Sequence, residues 1–263
     1  MDERKYADIA LRAALAGADA IEAVRNHGRL EVTTKSAAHD LVTAADRAAE
    51  QAILDVLSNR FPDDAILGEE TGNRPGKSGV RWLVDPLDGT ANFVHGRSAY
   101  AVSVGAERDG EPFAGAIVLP EDGRWITGGP DGAASGRVGA DGADVESLQV
   151  RDTRLADALV TFGLPSNLDS RRRSLVMVAD ISSDIRGVRV MGCAAGDLAA
   201  VALGHCNGFV GIGLAEWDTA AGHAIVLAAG GTVHRGTDVN GQPVLIAGSA
   251  GLVAELTGRV ITC

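Results

Sequence analysis

Trp82-Leu83-Val84-Asp85-Pro86-Leu87-Asp88-Gly89-Thr90-Ala91-Asn92-Phe93 is the stretch around which the chain is organised. The apolar run Trp82–Val84 reads as a buried strand. Pro86 has no N–H, fixes its own φ and cannot continue a central strand, so a turn is expected there. Asp85 and Asp88 then ride a tight turn at a strand end, with the Thr90 hydroxyl beside them. Carboxylates so close need a cation, a proton or a positive dipole between them. A hard divalent cation with oxygen ligands is the simplest answer. Asp-Gly and Asp-Pro are also ordinary turn dipeptides, so other acids must decide the matter.

The chain has 263 residues, room for one large domain or two ordinary ones. Hydrophobic residues make up 46 % and aromatic ones 4 %, so the core is built from Ala, Val, Leu and Ile. A net charge of −11 argues against binding a nucleic-acid polymer. An acidic protein that handles an anion needs metals or helix N-termini to do so. Cys193, Cys206 and Cys263 have neither metal-ligand nor disulfide-framework spacing, which fits a reducing cytoplasm. The charged Met1-Asp2-Glu3-Arg4-Lys5 lacks a signal-peptide core, and no apolar run approaches the ~20 residues of a membrane span.

Apolar spacing predicts a helix over 3–26 and a second from about Thr43–Asp46 to Arg60. Thr43 and Asp46 read first as capping residues of that helix, and His39 as a loop histidine. A short strand, Ala65–Gly68, ends in Glu69-Glu70. Thr71 to Gly79 and Val94 to Ser98 read as loops. Strands over Ala99–Glu107, Phe113–Leu119 and Arg124–Thr127, with Asp109-Gly110 and Asp122-Gly123 between them, make an antiparallel meander. Gly128 to Gly142 reads as a domain boundary or exposed loop. The second half alternates strands and helices, the mark of an α/β unit. The expected units are 1–145, an α+β unit with an antiparallel sheet, and 146–263, an α/β unit that completes the site. Asp218 falls in the first turn of a helix from Glu216. The Arg171-Arg172-Arg173 run reads as a solvated face, with a substrate-facing or interface role left open.

Asp46, Glu69, Asp85, Asp88 and Asp218 are thus five acids at element ends. The motifs Asp40-Leu41-Val42-Thr43-Ala44-Ala45-Asp46, Gly68-Glu69-Glu70, Trp82 through His95, and Trp217-Asp218 followed by Ala228-Ala229-Gly230-Gly231 stand in one order along nearly the whole chain. On these motifs the sequence resembles the inositol monophosphatase family of magnesium-dependent, lithium-sensitive phosphatases. The resemblance implies the five-layered α-β-α-β-α sandwich of the inositol monophosphatase and fructose-1,6-bisphosphatase type, and a homodimer. It implies metal ligation by Glu69, Asp85, Asp88, Asp218 and the Leu87 carbonyl, with two or three Mg²⁺ ions for which Mn²⁺ could substitute. Asp46 and Thr90 match the pair that activates the attacking water, Glu69 helps hold the activating ion, and Lys35 matches a lysine near the outer metal. Substrate contacts fall on Asp88, Gly89, Thr90, the Gly192-Cys193-Ala194 turn, Gly211 and Asp218.

The implied activity is hydrolysis of a small polyol or sugar-like phosphate, with no membrane partner. Two departures bear on the substrate. Gly211 stands where inositol-specific members often carry a Glu, and the Gly-rich stretch from Gly128 lacks the usual G-x-F-x-N-G hairpin. Histidinol phosphate, sugar phosphates, nucleotide 3′-phosphates and aminocyclitol phosphates are therefore alternative substrates. A non-catalytic metal- or phosphate-binding regulator is the reading from another class.

Overall fold

The computed structural model describes residues 3–27, 32–34, 41–140 and 144–260. Lys35, His39, Asp40 and Cys263 lie outside the described residues. In chain order the elements are α1 (Arg4–Asn26), β1 (Val32–Thr34), β2 (Leu41–Thr43), α2 (Ala44–Arg60), β3 (Ala65–Gly68), β4 (Gly72–Arg74), β5 (Val80–Asp88) and α3 (Thr90–Val94). There follow β6 (Ala101–Arg108), β7 (Glu111–Leu119), β8 (Arg124–Gly129), β9 (Gly132–Arg137) and β10 (Glu146–Ser147). The second half holds β11 (Leu159–Gly163), α4 (Leu168–Ile181), β12 (Gly187–Arg189), α5 (Ala194–Ala202), β13 (Gly208–Ile212), α6 (Glu216–Ala228), β14 (Thr232–Thr237), β15 (Pro243–Gly248) and α7 (Ala250–Val260).

Among the described residues, β3 to β10 form an eight-stranded sheet in the order β10-β9-β8-β7-β6-β5-β3-β4. Only the β3–β5 pair in it is parallel. A five-stranded mixed sheet runs β12-β11-β13-β15-β14. Helices α1 and α2 cover one face of the first sheet, α5 and α6 lie between the sheets, and α4 and α7 cover the outer face of the second. Each junction between layers holds its own apolar core. This is the five-layered sandwich expected from the sequence. No helix among the described residues is long and apolar enough to cross a membrane.

Trp82 anchors the organising strand. Its ring is fully buried against Tyr6, with centroids 5.4 Å apart, and Tyr6 in turn stacks on Phe61 at 4.4 Å. The indole N–H donates to Asp64 Oδ2 at 2.9 Å, which satisfies a polar group that burial would otherwise leave costly.

The structure corrects four expectations. No turn forms at Pro86: β5 continues to Asp88 through a bulge between Asp85 and Asp88. Proline is tolerated because β3 pairs β5 only as far as Val84, so Pro86 stands past the end of that ladder. The stretch from Thr71 is not all loop, since β4 pairs antiparallel with β3. Val94 does not open a loop but closes the short helix α3. Gly128 to Arg137 is no exposed loop: it completes β8 and forms β9, paired from Arg124 to Gly129 with Gly132 to Arg137.

The physical reason for that last error is helix packing. Gly105, Gly115 and Gly128 sit side by side on β6, β7 and β8. A Cβ on Gly105 would lie 2.8 Å from the Ala221 nitrogen, on Gly115 2.7 Å from the Ala221 Cα, and on Gly128 2.7 Å from the Ile225 Cα. The glycines serve close approach of α6 to the sheet, a role that composition does not distinguish from looseness. Gly115→Ala is therefore expected to destabilise the fold by about 1–3 kcal/mol through overpacking, read from urea unfolding midpoints.

Candidate active site

The ends of β3, β5 and α6 meet at one cavity of about 390 Å³. Glu69, Asp85, Leu87, Asp88, Gly89, Thr90 and Asp218 line it, joined by Gly192, Cys193 and Ala194 from the turn before α5. Residues far apart in sequence thus share one wall.

Each acid has a local reason for its place. Glu69 continues from β3, its N–H bonded to the Val84 carbonyl at 3.1 Å. The bulge turns both Asp85 and Asp88 toward the cavity, and Asp85 Oδ1 accepts the Leu87 N–H at 3.0 Å. Asp218 occupies the first turn of α6, where its Oδ2 accepts the Ala215 N–H at 2.9 Å and the helix dipole favours an anion. Asp88 Oδ2 accepts the Ala195 N–H at 2.6 Å, which ties the first half of the chain to α5.

Asp46 stands behind this wall, fully buried. Its Oδ2 accepts from the Thr43 N–H at 2.7 Å and the Thr43 hydroxyl at 2.6 Å, and Thr43 Oγ1 accepts the Ala45 N–H at 3.1 Å. This is the capping arrangement expected from the sequence. Its second oxygen, Oδ1, accepts the Thr90 hydroxyl at 3.1 Å, and the same hydroxyl reaches the Leu87 carbonyl at 3.0 Å. One carboxylate therefore both caps α2 and accepts from Thr90, which lines the cavity.

Electrostatics in the cavity are strained. Burial, then repulsion from Glu69, Asp88 and Asp218, holds the Asp85 carboxyl well above the ordinary range, and Asp85 shares a hydrogen bond with Glu69. Burial pushes Asp88 up to about 6, opposed by the Ala195 N–H. Burial also raises Asp46, opposed by its bonds to Thr43 and Thr90. Among the described residues no three acidic, histidine or cysteine side chains are already gathered into a cation cage. The donor chemistry nonetheless fits a hard divalent cation: the converging side-chain donors are all oxygen, and a cation between them would relieve their repulsion.

Cys193 is buried, and burial followed by the nearby Asp88 raises its thiol well above the usual range, so it is a packing residue. Gly211 does not line the acidic cavity. It faces a neighbouring cavity of about 390 Å³, and a Cβ on it would lie 2.5 Å from Leu214 Cδ1. Leu214 thus fills the space of the absent side chain and lines both cavities. Gly89 must remain glycine: its φ is +88° and a Cβ would meet the Ala99 carbonyl at 2.8 Å.

Sequence reasoning missed Asn92 and left the side of Arg171 open. Asn92 Nδ2 donates to the Ala99 carbonyl at 2.7 Å and the Met191 carbonyl at 2.8 Å, holding the Gly192 turn against α3. Its place inside the quoted motif was the available signal. Arg171 lines the cavity from α4, which no local pattern separates from a solvated arginine run.

The whole chain between residues 2 and 262 matches the model of the inositol monophosphatase family. The chain belongs to that family. The Nus factor SuhB of Pasteurella multocida (strain Pm70) is 32 % identical over 268 residues, covering 97 % of this chain and 96 % of that protein. The inositol-1-monophosphatase of Bacillus subtilis (strain 168) is 34 % identical over 220 residues, covering 82 % of this chain and 79 % of that protein. The crystal structure of the extragenic suppressor protein suhB from Bartonella henselae superposes with a TM-score of 0.83 at 33 % identity, covering 97 % of this chain and 98 % of that one. The inositol monophosphatase fold and the carboxylate-lined cavity thus occur together here, in a family of metal-dependent phosphomonoesterases that generally use Mg²⁺.

Asp197, buried on α5, gives a pH test of the burial argument. Thr161 donates its hydroxyl to it, yet burial pushes its carboxyl up to about 8. A carboxyl protonated when folded and ionised when unfolded stabilises fully below about pH 4, and that contribution is lost as pH rises toward the folded value. The Tm of the metal-free protein is expected to fall more steeply from pH 5 to 8 than that of Asp197→Asn, measured by thermal scans.

Proposed function

We propose that the protein is a Mg²⁺-dependent phosphomonoesterase acting on a small polyol- or sugar-like phosphate. The observation that carries this reading is the Thr90 hydroxyl between Asp46 and the acid-lined cavity. Glu69, Asp85, Asp88, Asp218 and the Leu87 carbonyl would hold the ions. When bound, these supply an activated water and neutralise charge on the phosphoryl and leaving oxygens.

The chain's own groups do the rest. Thr90 orients a water with its hydroxyl oxygen and takes a proton from it while passing its own to Asp46. A raised Asp46 is suited to accept that proton. Gly89 lines the cavity, and its positive φ sets the turn from which Thr90 begins α3. The Gly192-Cys193-Ala194 turn borders the leaving alcohol.

Phosphate release should be measured on inositol, sugar, histidinol and 3′-nucleotide phosphates with Mg²⁺, with EDTA and with added Li⁺. Turnover is expected to need Mg²⁺ and to be inhibited by Li⁺. Asp88→Asn and Asp46→Asn should each lower kcat by about 10²-fold or more, and Thr90→Ser should retain more activity than Thr90→Ala. Silence of the folded, metal-loaded protein across the panel would sink the enzymatic reading. The second reading is a non-catalytic metal- or phosphate-binding regulator on the same scaffold, and one relative carries the name Nus factor SuhB. The homodimer and cytoplasmic location implied by the sequence are part of the proposal, and light scattering tests the first.

Metal and protons should compete for the raised acids. Mg²⁺ binding to the metal-free protein is expected to release protons, with affinity rising between pH 5 and 7 as Asp88 ionises. Calorimetry in two buffers of different ionisation enthalpy measures the release.

A further inference from the structure

The arginine run at the start of α4 has three different fates. Arg172 is exposed, and Arg173 lies 3.8 Å from Asp238. Arg171 is half-buried in the wall of the acidic cavity and is the one cationic residue lining it among the described residues.

Its guanidinium is held in place by the loop that forms the same wall. Nε donates to the Pro165 carbonyl at 2.9 Å and Nη2 to the Ser166 carbonyl at 3.5 Å. The helix beneath it is fixed as well: Asn167 Oδ1 accepts the Asp169 and Ser170 N–H groups, both at 3.0 Å. A guanidinium has five N–H donors, of which these bonds use two. No carboxylate among the described residues forms an ion pair with it. Leu164, Pro165, Val190 and Leu214 line the cavity beside it and offer a substrate no other charge there.

We propose that Arg171 is a specificity-determining residue that binds a second anionic group on the alcohol portion of the substrate. The substrate class is then a phosphomonoester whose leaving group carries a carboxylate or a further phosphate. This rests on the phosphomonoesterase reading. The acids, with the ions they hold, serve the phosphoryl group, which leaves Arg171 as the cation for the remainder of the ligand. A fixed fork with spare donors in a partly dry wall suits a planar carboxylate or a phosphate, and leaves a neutral polyol no charge to match. An ammonium-bearing leaving group such as that of histidinol phosphate meets a like charge there.

The test compares matched pairs with Mg²⁺: glycerol 2-phosphate against 2-phosphoglycerate, and a hexose monophosphate against the corresponding bisphosphate. The wild type is expected to favour the anionic member by about tenfold or more in kcat/KM, mainly through KM. Arg171→Ala and Arg171→Gln should each reduce that ratio about tenfold, Arg171→Lys should restore part of it, and Arg171→Glu should invert it. Preference for one pair but not the other identifies carboxylate or phosphate as the group bound. Equal losses on both members, or a wild-type preference for neutral members, overturns the proposal. Calorimetric binding of the same pairs with Ca²⁺ in place of Mg²⁺ separates the two levels. Selective, Arg171-dependent binding without turnover would remove the enzymatic reading and keep the anion site, whereas binding without selectivity would remove the anion site alone.

Discussion

The close approach of α6 to the first sheet is the constraint on which the site depends. Gly105, Gly115 and Gly128 form a row without side chains, and the backbone at Ala221 and Ile225 settles onto it. Any Cβ in that row would push the helix outward. The start of α6 carries Asp218, and Ser103 on β6 reaches the Trp217 carbonyl at 3.5 Å. A helix displaced from the sheet would carry Asp218 away from Asp85 and Asp88. Backbone packing thus sets the position of a charged group that belongs to another half of the chain.

The second theme is electrostatic cost. Carboxylates converge where a core would rather hold none, and backbone donors at Leu87, Ala195 and Ala215 satisfy part of their charge. The arrangement is poor for stability and good for a hard cation. The bulge in β5 matters here, because it lets Asp85 and Asp88 both line the cavity although their sequence separation of three would otherwise divide them between faces.

The third is that the two sheets contribute different chemistry. The first supplies acids and Thr90. The second supplies the turn at Gly192, the apolar residues around Leu214 and the lone guanidinium of Arg171. Asn92 and the Asp88–Ala195 bond fasten these contributions together.

Much of this was legible in the residues. Apolar spacing placed α1 and α2, alternation placed the meander, and Asp109-Gly110 marked a hairpin in which both residues take positive φ. The ordered motifs named the acids because their roles depend on local features: a strand end, a helix cap, an Asp before a Pro. The sequence could not show that Pro86 lies beyond the reach of β3, that a glycine-rich stretch is a strand pressed against a helix, or that Gly211 faces away behind Leu214. It could not single out Arg171 from its neighbours either. Each of these depends on which element arrives from elsewhere in the chain, and long-range packing decides that, whereas propensity and spacing act only locally.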